Sequence, residues 1–218
     1  KVFAEGLVFM AKLYIQPNAG SGSKWSSVSR KVAALKVTSF RKDLRPWSYE
    51  RLCDLGESCF TSESRGAGRM ALARSVFLLA SKMSPDRPTA HQGIGTAAFK
   101  SGLSYYKRGE FEQTIKSLSL CLRKIPDHID AYFLRAECYQ ASPGVLATNH
   151  RRAVRDLNKV IEARPKDADA FHSRGISYEH LRNYVLAEED YTSASRLSPN
   201  KVFAEGLVFM AKLYIQPN

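Results

Sequence analysis

The 218 residues contain no run of 18 or more apolar side chains, so no segment is built to cross a bilayer as a helix. Cysteine is scarce: Cys53, Cys59, Cys121 and Cys138 are scattered, and no two form a CxxC pair. That usage fits buried small hydrophobes in a reducing, cytosolic setting. No P-loop and no HExxH motif is present. The five histidines, His91, His128, His150, His172 and His180, show no metal-ligand clustering, and His172 and His180 stand too far apart to share one metal on a single helix. Gly93–Ile94–Gly95–Thr96–Ala97–Ala98 has the form GxGxxA, yet no strand precedes it to make a dinucleotide fingerprint. A secretory signal is equally hard to argue, because Glu5 and Lys12 interrupt the apolar middle of residues 1–18. The expectation is a protein with no catalytic site, no metal and no cofactor.

What the chain does have is a pattern in Ala168–Pro199. Phe171, Gly175 and Tyr178 share one face of a predicted helix, and Tyr184, Ala187, Tyr191 and Ala194 share one face of a second. Leu181–Arg182–Asn183 separates the two, and Pro199 ends the second. Gly175, Ala187 and Ala194 are small enough to let two antiparallel helices approach closely, with Tyr184 and Tyr191 filling the space between neighbouring hairpins.

This stretch resembles a tetratricopeptide repeat (TPR), a unit of about 34 residues with a W–LG–Y–A–F–P style pattern. Such a unit cannot bury its apolar face alone, so copies are expected beside it. Gly102, Tyr105, Gly109, Phe111, Leu118, Cys121 and Pro126 match in the same register, and Tyr132, Ala136, Tyr139, Ala153, Leu157, Val160 and Pro165 form another copy. The latter carries five extra residues, and Ala141–Ser142–Pro143–Gly144 predicts an enlarged hairpin turn. A degenerate copy runs over Leu52, Gly56, Cys59, Ala73, Phe77, Ala80 and Pro85, with a loop at Gly66–Gly68. The same register accounts for Gly93–Ala98. The resemblance implies an all-α solenoid of antiparallel helix hairpins with a right-handed superhelix.

Two features lie outside the repeats. Residues 1–18 and 201–218 are the same sequence, KVFAEGLVFMAKLYIQPN. Natural repeats drift, so the N-terminal copy reads as an engineered duplicate on a flexible Ala19–Ser23 linker, and the C-terminal one as the native capping helix. The capping helix is expected from about Lys201 to Ile215, with Phe203 and Leu207 against the last hairpin. The remaining apolar face, including some of Val208, Phe209 and Leu213, is expected to be covered by another chain or by the duplicate. Residues 24–46 form a basic arm or helix, and Ser84–Pro85–Asp86–Arg87–Pro88 reads as a longer break than the usual turn between repeats. The resulting division is 1–18 duplicate, 19–23 linker, 24–46 arm, 47–92 degenerate hairpin, 93–128, 129–167 and 168–200 repeats, and 201–218 cap.

The resemblance also implies a concave groove lined by the first helix of each hairpin. Carried over position by position, the lining is Thr96, Phe99, Leu103, Tyr106 and Lys107, then Asp130, Phe133, Glu137 and Gln140. It continues with Asp169, His172, Ile176, Glu179 and His180, and the degenerate copy adds Glu50, Cys53, Glu57 and Phe60. A protein or peptide segment, basic or apolar, is the implied occupant, since aromatics in a concave surface anchor bound segments. The subclass that clamps a chaperone's terminal carboxylate is not expected. Its basic positions hold Phe99, Leu103, Leu134, Asp169 and Ser173 in one register, and Cys53, Glu57, Lys100, Asp130 and Leu134 in the other.

Charge offers a second reading. The net charge is +12, and residues 1–92 hold 15 Lys and Arg against 7 Asp and Glu. Arg151, Arg155 and Lys159 recur every four residues, with Arg152 beside them, as an outward stripe suited to nucleic acid or another polyanion. No aromatics interleave with it to stack bases. The leading expectation is an interaction scaffold that associates with proteins and self-associates through the duplicated segment.

Overall fold

The computed structural model describes residues 49–61, 67–142 and 146–199, together with Gly206 and Val208. Among the described residues the fold is all-α. The helices are α1 Tyr49–Thr61, α2 Ala67–Met83, α3 Pro88–Tyr106, α4 Phe111–Lys124, α5 Ile129–Ala141, α6 Leu146–Ala163, α7 Ala168–His180 and α8 Tyr184–Leu197. The expectations for residues 1–48 fall outside this range, as do those for Phe203, Leu207, Phe209 and Leu213.

The chain divides into two compact units, one reaching Lys107 and including Leu120–Pro126, the other holding Arg108–Ser119 and everything from Asp127. In the first, α1, α2 and α3 close over Phe77, which has no exposed surface. Its ring lies between Gly56 of α1 and Gly93 of α3, where an added Cβ would sit 2.5 and 2.4 Å from ring carbons. Leu52, Cys59, Ala73 and Ala80 are buried around it. Gly95 similarly receives Ile125, at 2.6 Å from where its Cβ would be. Both glycines of the GxGxxA stretch are thus spent on helix packing.

In the second unit α5–α6 and α7–α8 are antiparallel hairpins. Arg135 pairs with Asp156 across the first, and Arg174 with Asp190 and Tyr191 with Glu179 across the second. Ala136, Ala153, Leu157, Val160 and Ala170 form one buried cluster. Ala187 and Tyr191 form another, with Ile176 and Tyr178 against it. The residues separating α7 from α8 are Leu181–Asn183, as the sequence predicts, and Arg182 takes a left-handed φ of 59° there. The α3–α4 turn uses Gly109, φ 73°, at the matching position, where the missing Cβ makes that conformation unstrained. Asp167 caps α7 by accepting a hydrogen bond from the Ala170 amide at 3.2 Å.

Four local expectations are corrected. The extra residues of the 129–167 copy do not enlarge the turn, because α5 ends at Ala141 and α6 begins at Leu146. Four of the five lengthen the second helix instead: α6 has 18 residues where α8 has 14. The helix is already under way at Leu146–Ala147–Thr148–Asn149. The break around Pro85 is likewise no longer than its counterparts, for α2 ends at Met83 and Pro88 opens the 19-residue α3 as its first-turn proline. Gly68 lies within α2 rather than in a loop. Tyr184, expected between hairpins, is 45% exposed, whereas Tyr191 is buried as expected.

Candidate functional site

Each unit carries its own share of the proposed lining. In the first, Thr96, Phe99, Leu103 and Tyr106 are half-buried along α3, and Lys107 is exposed at its C-cap. The α1 positions contribute less than expected. Cys53 is buried, and burial pushes its thiol up. Phe60 stacks on Phe77 with centroids 5.8 Å apart, and the Lys100 ammonium lies 4.7 Å over the Phe60 ring. Glu50 is ion-paired with Arg87, and Glu57 is exposed.

In the second unit the first helices build a recess. Asp130 and Phe133 from the start of α5 face Arg164, Asp167 and Asp169 from the α6–α7 turn and the start of α7, around a cavity of about 190 Å³. Arg164 donates to Asp130 at 2.7 Å, and both side chains are about half exposed. Phe133 leans on the Ala136–Leu157 cluster while lining this recess. Glu137 is half-buried on the same helix.

Several neighbouring positions are committed to packing. Gln140 donates to the Ser173 carbonyl at 2.6 Å and to the Ser177 hydroxyl at 2.8 Å, tying α5 to α7. Glu179 accepts from the Tyr191 hydroxyl at 2.9 Å, and His172 tilts against the Tyr191 ring at 5.5 Å. Ile176 packs on Tyr191 and Ala187. His180 stacks on His150 across α6 and α7. The α5 end of this surface therefore holds the recess, and the α7 end mostly holds Tyr191.

The basic stripe on α6 is exposed at Arg151, Arg152, Arg155 and Lys159. Lys159 is held by Glu162 at 2.8 Å, which raises the lysine pKa. Arg152 lies 5.7 Å from the Tyr139 ring centroid.

Sequence reasoning missed a repeated arginine. Arg135 donates from Nε and Nη2 to the two Asp156 oxygens, both at 2.7 Å, and from Nη1 to Ser119 Oγ at 2.9 Å. Its guanidinium lies near Tyr132 and Tyr139, three residues before and four after it. Arg174 repeats the arrangement with Asp190, Asn158, Phe171 and Tyr178. The signal was in the sequence: an Arg directly before Ala136 or Gly175, and an Asp directly before Leu157 or Tyr191. Burial pushes the Asp156 carboxyl up, and Arg135 pulls it back. A pair of this kind is expensive to break, which points to architecture rather than ligand capture.

Among the described residues no group of three or more His, Cys, Asp and Glu is placed to hold a metal, and no helix is long and apolar enough to cross a membrane. The four thiols are free and buried. Burial pushes Cys59 and Cys121 to about 11 and Cys138 to about 12, so they are protonated and poor nucleophiles near neutral pH.

Comparison with known proteins agrees with this geometry. Residues 96–128 match the family profile of the tetratricopeptide repeat. Protein SGT1 homolog of Bos taurus is 30% identical over 87 residues, which is 40% of this chain and 24% of that protein. Tetratricopeptide repeat protein 13 of Homo sapiens is 30% identical over 128 residues, 57% of this chain and 14% of that protein. This chain thus spans about a quarter or less of the length of these curated relatives. The crystal structure of TTC0263, a thermophilic TPR protein in Thermus thermophilus, aligns at 20% identity with a TM-score of 0.42, over 77% of this chain and 82% of that one. Residues 96–128 thus match one tetratricopeptide repeat, and the helix pairs α5–α6 and α7–α8 follow the same hairpin plan.

Proposed function

We propose that this chain is a protein-interaction scaffold that holds a segment of a partner protein against the first helices of its hairpins. The observation that carries this reading is the recess at Asp130, Phe133, Arg164, Asp167 and Asp169, an open cavity pairing an aromatic wall with three carboxylates and one guanidinium. Arg164 neutralises one carboxylate by its contact with Asp130, which leaves the rim acidic. A basic side chain stacked on Phe133 and facing Asp169 suits that chemistry. Glu137, half-buried on α5, extends this lining, while His172, Ile176 and Glu179 act through their support of Tyr191. Phe99, Leu103 and Tyr106 of α3, half-buried, offer apolar surface in the other unit. The buried, free thiols support a reducing, cytoplasmic setting.

Screening a peptide library against the chain tests this reading. Selected peptides should be enriched in Arg or Lys beside an apolar residue, and Phe133→Ala should weaken them by about 1–3 kcal/mol. Peptides retained equally by wild type, Phe133→Ala and Asp169→Lys would place the site elsewhere.

A second reading rests on the exposure of Arg151, Arg152 and Arg155 along one helix. These favour a polyanion, weakly and in a salt-sensitive way. Binding to RNA that survives about 0.5 M salt would put this reading first.

A further inference from the structure

Gly206 is helical and buried, and it sits on the ring of Tyr191. A Cβ added there would come within 2.9 Å of the ring, and one added at Gly175, against the same ring, within 2.8 Å. The Phe77 ring is held by Gly56 and Gly93 in the same manner. The Tyr191 seat therefore admits a segment only where that segment offers a glycine. Val208, two residues on, is 53% exposed, so the seated segment does not bury that side chain against its own chain.

Residues 1–18 reproduce residues 201–218 without a change, and Gly6 stands where Gly206 does. A surface that accepts one copy accepts the other through identical contacts, and only the tether differs. We propose that residues 1–18 of one molecule dock on the Tyr191 seat of a second molecule in place of that molecule's own residues 201–218. The contact joins one end of a molecule to the other end of its neighbour, so it is heterologous and can extend into chains.

Tethering sets how often the exchange occurs. The segment carrying Gly206 follows α8 almost directly, after Pro199, and a short tether gives it an effective concentration in the millimolar range. At micromolar protein each molecule fills its own seat, and exchange appears when that segment is withdrawn.

The test uses the full chain with Gly206→Trp, which blocks the C-terminal copy and leaves Gly6 intact. In sedimentation velocity its weight-average mass should rise about twofold or more over wild type, in a concentration-dependent way. The double variant Gly6→Trp, Gly206→Trp should return to the wild-type value. Because a misfolded Gly206→Trp chain also gains mass, the free peptide KVFAEGLVFMAKLYIQPN is added in excess. Dissolution of the assemblies by this peptide, and not by the same peptide carrying Gly6→Trp, supports the docking. A Gly206→Trp chain that stays monomeric, whether through closure on itself or an empty seat, overturns it. So does mass that the peptide leaves unchanged.

Discussion

Arg174 holds Asp190 with two parallel hydrogen bonds, Nε to Oδ2 at 2.8 Å and Nη2 to Oδ1 at 2.7 Å. Its Nη1 reaches back to Asn158 of the preceding helix at 2.8 Å, so one side chain ties α7 to both α8 and α6. Arg135 does the same for α5, α6 and Ser119 of α4. The bidentate geometry uses the planar fork of the guanidinium, which an ammonium does not have.

Removing either arginine leaves a buried carboxylate without its counter-charge. Arg174→Met should cost about 3–5 kcal/mol of stability, and Arg174→Lys should recover only part of it. Replacing both partners, Arg174→Met with Asp190→Leu, should recover most of the loss, since an apolar pair leaves no charge stranded. Thermal unfolding of the three variants measures this. A double variant as unstable as the single one would mean that Asp190 was not the injured group.

Arg182 offers a change in the other direction. Its φ of 59° places a Cβ in the left-handed region, where Gly109 serves the matching turn at 73°. Arg182→Gly should relieve a strain of about 1–2 kcal/mol while giving back part of it as unfolded-state entropy. A net gain of about 0.5–1 kcal/mol in a urea titration is the expected result. A loss of stability would show that the Arg182 side chain contributes more than its backbone costs.

The hairpins were legible because their signal is periodic. Gly175, Ala187, Tyr191 and Ala194 predict both helices and the turn at Leu181–Asn183 directly. The five extra residues near Pro143 were misread because proline and glycine mark where a helix stops, not where the next resumes. Gln140 and Cys53 were read as groove-lining by register alone. Register fixes the side of a helix that a residue occupies, and the neighbours then decide whether it is free. Gln140 is drawn to Ser173 and Ser177, and Cys53 is buried against α2 and α3. The arginine pairs were missed for a related reason. Each joins residues 21 or 16 positions apart, beyond the reach of any helical spacing.

At the recess, reversing charge should separate capture from structure. Asp169 is exposed in the first turn of α7, so Asp169→Lys should cost only about 0.5 kcal/mol of stability, from its place at the helix N-terminus. It should weaken a bound basic peptide by about tenfold or more. Asp167→Ala should behave differently, because Asp167 caps α7, and about 1 kcal/mol of stability should go with it. Calorimetric binding and thermal melts on the two variants make the comparison. Equal binding losses with equal stability losses would indicate that peptide affinity follows fold integrity alone.

The stacked histidines give the chain a pH response with a definite sign. His150 is 2% exposed, its ring lies 4.3 Å from that of His180 at 12°, and its Nδ1 is buried without a hydrogen-bond partner. Burial, then repulsion from His180, lowers its pKa below the ordinary value of 6.5. Of the charged groups on the helices packed here, Arg151 and Arg152 are exposed on α6, Arg152 lies over Tyr139 of α5, and Glu179 of α7 is engaged by Tyr191. Between the folded and unfolded pKa the unfolded chain binds the extra proton, so stability rises with pH across that window. The contribution is complete above about pH 6.5 and is lost as pH falls below it, by about 1.4 kcal/mol for each unit of depression. His150→Phe places at this position the residue found in the equivalent place of α4, Phe111, and removes the titrating group. Wild type should lose melting temperature between pH 7.5 and 5.5, and His150→Phe should lose less. Identical pH profiles for the two proteins would show that His150 does not carry the response.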